Sequence, residues 1–266
     1  ILSATVKTVE REIPIGLIGK YFATGDYILA DVYLSVIESL KYAGWSHSIK
    51  PKFHWIDSEK IESDGAAKHL RGLAGVVVPG GFGSRGVEGI IQAIQYAREN
   101  KVPYFGLCYG MQLATVEVAR HLANLAGAHT TEVNAKTRHP IIHIMPEQEK
   151  KMLERSYGAT MRLGAWETKL VKDSRVFRAY GQNKISERHR HRFEFNNAYR
   201  AKLEAAGLKI SGASTDGRIV EIIELENHPW FVGVQFHPEF KSRPLRPHPL
   251  FRDFMGACLD NHKSEK

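Results

Sequence analysis

The chain has 266 residues, 43% of them hydrophobic and 25% charged; this is enough apolar material for one large α/β domain or two small ones, and it excludes global disorder. A formal net charge of +8 favours polyanions or simply solubility, but the basic residues are spread along the chain, which argues against a dedicated nucleic-acid-binding tail. No apolar run approaches the roughly 18 residues that span a bilayer, Ile1 to Glu12 carries no signal-peptide core, and two cysteines cannot build a disulfide framework, so a reducing, cytoplasmic setting without membrane contact is expected.

Residues 1–12 read as a linker. The apolar run from Ile13 to Gly19 predicts a buried strand. Residues 28–43 place Ile28, Val32, Val36, Ile37 and Leu40 at helical spacing, with Gly44 available as a cap. Ile49 to Ile56 predicts a second strand, and Leu73 to Val78 a third, stopped by Pro79. A helix over 87–99, a strand over Val102 to Leu107 and a helix over 109–125 follow. This alternation predicts a doubly wound, mostly parallel sheet with flanking helices. Residues 140–235 differ: short runs at Ile141–Met145, Thr168–Val171 and Arg218–Leu225, rich in turn residues, predict added antiparallel strands on the same sheet. Trp230 to Phe236 predicts a last strand, followed by a helix near 249–260 and a tail over 263–266.

Ligands of open α/β sheets bind beyond the carboxyl ends of the strands. Three such ends carry candidate chemistry. Gly106-Leu107-Cys108-Tyr109-Gly110 is a sulfur version of the nucleophile elbow, in which small neighbours allow a strained backbone and the helix behind favours the thiolate. Its backbone N–H at Tyr109 would face a developing oxyanion. The pentapeptide alone leaves an inert core thiol equally open, whereas Cys258, in register with Leu250 and Phe254 on one helical face, reads as core. His237 follows the last strand, with Glu239 two residues on, where an extended segment would point both side chains the same way. Pro79-Gly80-Gly81-Phe82-Gly83 offers a second oxyanion donor at Gly81, and is not a phosphate-binding P-loop. Gly19-Lys20-Tyr21 fails the P-loop pattern as well. His189 and His191 alternate in Arg188-His189-Arg190-His191-Arg192, but no third ligand follows at metal-site spacing, so no metal is expected; Trp166 and Trp230 read as core or interface residues.

The combination of PGGFG, GLCYGMQ and FHPE resembles the class I glutamine amidotransferases, whose fold is flavodoxin-like. The stretches GKYFATGDYILADVYLSVIESLKYAG, PGGFGSRGVEG, ERHRHRFEFNN and NHPWFVGVQFHPEF are similar to the glutaminase half of the CTP synthase family, over residues 13–262. The resemblance implies a Cys108–His237–Glu239 triad that hydrolyses glutamine through a glutamyl thioester, with oxyanion donors at Gly81 and Tyr109. It implies glutamine contacts from Gly80, Phe82, Gln112, Glu132 and one arginine of the basic run, Arg192 or else Arg190, because an α-amino group seeks a carboxylate and an α-carboxylate a guanidinium. It implies a lid at Arg85, Gly86 and Glu88 that responds to GTP as an activator. The domain itself would need no cofactor. Its expected partner is an N-terminal synthetase (amidoligase) domain that binds UTP and magnesium-ATP, in a tetramer when full length. Two features depart from the family pattern: tyrosine stands at 109 where leucine is common, and no synthetase half is in the sequence. A γ-glutamyl peptide hydrolase of the same fold and a non-catalytic regulatory module remain as alternatives.

Overall fold

A computed structural model describes residues 9–20, 23–24, 27–28, 33–144 and 161–264. Most of the expected linker, the start of the first expected helix and the last two residues of the expected tail lie outside the described residues.

A nine-stranded sheet organises the fold. Its parallel half consists of β1 (Glu12–Gly19), β4 (Lys50–Asp57), β5 (Gly75–Val78), β6 (Tyr104–Leu107) and β14 (Phe231–Val234), in the order β4-β1-β5-β6-β14. Its antiparallel wing continues from β14 through β13 (Val220–Leu225), β12 (Leu208–Ser214) and β9 (Arg162–Leu170) to β10 (Lys184–His191). The two-residue strands β2 (Ala23–Thr24) and β3 (Tyr27–Ile28) pair with each other. Strands β7 (His129–Thr130), β8 (Pro140–Ile144) and β11 (Phe193–Phe195) form a separate small sheet. The expectation that the run at 141–145 joins the main sheet is thereby corrected, while those at 168–171 and 218–225 do join it.

The sheet is covered on both faces. On one lie α4 (Val87–Glu99) and α5 (Tyr109–His121), whose Ile90, Ile94, Leu113 and Val116 share a core with Val76 and Val78. The shorter α2 (Ser58–Asp64) and α3 (Ala66–Leu70) add Ile61 and Leu70 to that side. On the other face, α1 (Leu34–Ser46) and α8 (Pro249–Ser264) enclose Leu40, Phe251 and Phe254 against Val77 and Phe105. Burial on both faces is why β5, β6 and β14 are apolar without alternation. Two short helices, α6 (Arg175–Tyr180) and α7 (Arg200–Ala205), complete the wing.

Among the described residues of the first expected helix, Ile28 belongs to β3, the helix α1 runs over Leu34–Ser46, and Gly44 lies inside it rather than capping it. A Cβ on Gly44 would come within 2.8 Å of the Ile49 carbonyl oxygen, so the glycine serves a close approach to β4. The cap is His47, whose backbone N–H reaches the Gly44 carbonyl and whose ring nitrogen Nε2 bonds the Arg252 carbonyl of α8 at 2.7 Å. Cys258 is fully buried in α8, and a Cβ on Gly75 would overlap its sulfur, so this thiol is pressed directly onto the sheet. Among the described residues, no helix is long and apolar enough to cross a membrane.

Candidate active site

Because β5, β6 and β14 run parallel, the residues after Val78, Leu107 and Val234 emerge on one edge. Cys108 stands there with φ +48° and ψ −95°, a conformation that side chains rarely adopt. Its neighbours explain how the strain is held. A Cβ on Gly106 would lie 2.6 Å from the Tyr104 hydroxyl and 2.8 Å from Gly110 C, and one on Gly110 would overlap the Val78 carbonyl oxygen. The Cys108 backbone N–H donates to the Val234 carbonyl at 2.7 Å, locking the elbow to β14.

His237 and Cys108 converge on Gly80. A Cβ built there would be 2.8 Å from His237 Cε1 and 3.8 Å from Cys108 Cβ. His237 is held at three points, two on its ring and one on its main chain. Its Nδ1 bonds Glu239 Oε1 at 2.8 Å, its ring stacks on Phe240 with centroids 5.1 Å apart, and its backbone N–H donates to the Arg188 carbonyl at 2.8 Å. Glu239 reaches the ring from a 3-10 turn over Pro238–Phe240, not from the extended segment expected; the spacing holds but the path differs. Burial works to lower the His237 pKa, yet the Cys108 sulfur and then the Glu239 carboxylate outweigh it and raise the value to about 10. The structure therefore favours an imidazolium beside the sulfur.

The glycine turn after β5 packs over the elbow. A Cβ on Gly81 would be 3.6 Å from Tyr109 Cδ1, and the Tyr109 hydroxyl donates to the Gly83 carbonyl at 2.6 Å. The tyrosine at 109 thus does more than supply a backbone N–H: its ring and hydroxyl floor the turn. Lys20 adds to this, donating to the Gly83 carbonyl at 2.6 Å and the Phe82 carbonyl at 3.2 Å while lying 4.5 Å from the Tyr109 ring centroid. Burial lowers the Lys20 pKa to about 8, against the opposing pull of Glu132.

The expected glutamine contacts are brought into this region. Gln112, on the first turn of α5, is 3% exposed and donates from Nε2 to the Phe193 carbonyl at 2.9 Å and to Gln235 Oε1 at 3.3 Å. That bond brings the bend at Arg192, the residue before Phe193, next to the elbow; Arg190 instead projects from the exposed face of β10. Glu132 accepts from the Gly83 N–H at 2.9 Å, and Phe82 is 68% exposed at the rim. The residues expected to form a lid are held by neighbouring elements. Arg85 pairs with Glu59 at 2.8 Å, and Glu88 pairs with Arg120 at 2.6 Å. Hydrogen bonds from His129 and Arg120 lower the Glu88 pKa to about 2 despite partial burial. Gly86 has φ +62° at the start of α4, where a Cβ would overlap the Ser58 hydroxyl.

Two functional candidates escaped the sequence reading. In the sequence Lys20 reads only as a lysine that fails the P-loop pattern. Gln235 lies within the NHPWFVGVQFHPEF stretch, where no local pattern marks it out; it is fully buried and its Nε2 lies 3.5 Å from the Cys108 sulfur. The histidines of the basic run point inward on β10, where His189 Nε2 bonds Glu221 at 2.8 Å and Arg162 pairs with the same carboxylate. Among the described residues, no group of three or more His, Cys, Asp and Glu could hold a metal ion.

Comparison with known proteins supplies an independent line. Residues 28–257 match the family described as glutamine amidotransferase class-I. The CTP synthase of Carboxydothermus hydrogenoformans is 54% identical over 257 residues, which is 97% of this chain but 46% of that protein. The chain thus spans about half the length of the curated relatives it matches. Among solved structures, the glutaminase domain of Trypanosoma brucei CTPS with bound acivicin is 37% identical, covering 93% of this chain and 94% of that one at a TM-score of 0.86. A glutamine amidotransferase of Thermotoga maritima, 14% identical with a TM-score of 0.52 over 95% of this chain and 99% of that one, shares the fold.

Proposed function

The chain belongs to the class-I glutamine amidotransferases, and from that membership we propose that it hydrolyses the side-chain amide of glutamine and passes the ammonia to a synthetase half that aminates UTP to CTP. The observation that carries the chemistry is the convergence of Cys108 and His237 on Gly80, with the imidazole held charged by the sulfur and by Glu239.

In this reading the Cys108 thiolate attacks the amide carbon. The N–H groups of Gly81 and Tyr109 receive the oxyanion; the latter is one of the donors that a helix leaves unsatisfied in its first turn. The His237 imidazolium gives its proton to the departing nitrogen as the C–N bond breaks, releasing ammonia and leaving a glutamyl thioester. Neutral His237 then takes a proton from water as the water attacks the thioester. Collapse expels the thiolate and frees glutamate. Glu239 keeps the ring oriented throughout. Glu132 and Arg192 would receive the substrate's α-amino and α-carboxylate groups, with Gly80, Phe82 and Gln112 lining the rest of its path. Glu132 must then exchange its bond to Gly83, which gives the glycine turn a reason to move when substrate arrives.

The similarity to CTP synthases supports a partner that binds UTP and magnesium-ATP, a response of the Arg85–Glu88 segment to GTP, and a cytoplasmic setting. This domain calls for no cofactor of its own. The test is ammonia release from glutamine by the parent and by Cys108→Ala, with and without GTP and a supplied synthetase half. The parent should turn over, and the variant should lose at least about a thousandfold while keeping its fold. Ammonia release by the variant at the parental rate would remove Cys108 from the mechanism. Turnover of γ-glutamyl peptides but not of glutamine would favour the hydrolase alternative.

A further inference from the structure

We propose that Gln235 is a further catalytic residue: its side-chain amide donates a hydrogen bond to the Cys108 sulfur and stabilises the thiolate whenever that atom carries charge. The proposal rests on the reading of Cys108 as the nucleophile.

Gln235 is the first residue after β14 and is fully buried. Its backbone N–H donates to the Glu221 carbonyl of β13 at 2.8 Å, while the Cys108 N–H donates to the Val234 carbonyl of β14, so the Val234–Gln235 segment is pinned to β13 on one side and to the elbow on the other. Its Nε2 lies 3.5 Å from the Cys108 sulfur, a normal separation for a bond to sulfur. The orientation of the amide is fixed by what lies behind it. Gln112 is itself directed by the Phe193 carbonyl, which only its NH2 group can serve at 2.9 Å. The same NH2 group faces Gln235, whose oxygen must accept it. Turning the Gln235 amide over would set two NH2 groups against each other and point an oxygen lone pair at the sulfur. The roles are therefore fixed: the Gln112 NH2 group donates both to the Phe193 carbonyl and to the Gln235 oxygen, which leaves the Gln235 NH2 group to donate to the sulfur.

The chemical consequence follows from the acceptor. A thiolate takes a hydrogen bond strongly, and in a water-excluded site such a bond to a charged group is worth more than a neutral one. A thioester sulfur takes one poorly. The Gln235 N–H thus favours the thiolate before attack and again as the sulfur leaves the collapsing intermediate, so it accelerates release of the glutamyl group. No bond to Gln235 forms or breaks.

The experiment uses Gln235→Met in the full protein, a change that keeps side-chain length and removes the donor. Iodoacetamide alkylation of Cys108 at neutral pH should slow about tenfold, the factor for loss of a hydrogen bond to a charged acceptor. The kcat for ammonia release should fall by a similar factor, with KM for glutamine changed less than about threefold. A folded Gln235→Met protein whose alkylation rate and kcat both stay within about twofold of the parent overturns the proposal. Gln235→Glu provides a second route should the methionine variant not fold: replacing the donor by a carboxylate should slow alkylation further as pH rises, and alkylation at or above the parental rate overturns the proposal. Failure of the underlying reading is separately visible, because Cys108→Ala would then keep releasing ammonia whatever stands at 235.

Discussion

Gly80→Ala tests how tightly the base is held. Gly80 has no positive φ, so its backbone accepts alanine, and the new methyl group acts only through what it meets. That is His237 Cε1 at 2.8 Å, about 0.7 Å short of an ordinary carbon–carbon contact near 3.5 Å. The ring has no easy retreat, since moving away from Gly80 strains the 2.8 Å bond to Glu239 and the stack on Phe240. A misplacement approaching 1 Å costs on the order of a hundredfold in rate. Initial rates of ammonia release against glutamine concentration should show kcat reduced about 30- to 100-fold. The thermal midpoint should fall by no more than about 2 °C, because the clash is with one side chain and not with the sheet. Gly81→Ala is the comparison: its methyl would meet Tyr109 Cδ1 at an ordinary 3.6 Å, so the loss should be clearly smaller. If Gly80→Ala kept kcat within about threefold of the parent, the claim that a rigid imidazole abuts Gly80 would fail.

The charge on His237 gives a second test. NMR titration of its ring in the parent should show a midpoint near 10, and Cys108→Ala should bring it down towards or below the ordinary 6.5, because burial then opposes the charge with only Glu239 in support. The sign for stability follows: the imidazole's own contribution is fully present below about 6.5 and is lost as pH rises through about 10, so an unchanged midpoint in Cys108→Ala would break the coupling argument. Gly110→Ala should act on the fold instead. Its methyl would overlap the Val78 carbonyl oxygen, a backbone atom fixed in β5, and the expected destabilisation is about 1–3 kcal/mol, read from denaturant midpoints. A midpoint equal to the parent's would mean that the elbow packs less closely than described.

Much of this architecture can be read from the residues, and the limits have physical causes. Strands β5, β6 and β14 announce themselves because double-sided burial leaves runs such as Val76-Val77-Val78 uninterrupted. Strand β10 does not. Its inward positions are Ile185, Glu187, His189 and His191, so burial alternates but hydrophobicity does not. His189 among them pairs with Glu221 of β13, and no local pattern reports a partner 32 residues apart. The site shows the same division. Cys108, His237 and the glycine turn are legible as three strand ends, whereas the bond from Gln235 to the sulfur and the Lys20 clamp depend on distances between segments. Glu239 is legible by spacing, although its path through a 3-10 turn is not.

The two sulfurs end up in opposite circumstances, one on the rim beside an imidazole and the other pressed between α8 and Gly75. A thiol reagent is therefore a two-level gauge of this molecule. One equivalent consumed per chain counts intact pockets, and the second equivalent is consumed only as the sheet comes apart. A single titration curve thus reports the fraction of competent sites and the fraction of folded chains in the same preparation.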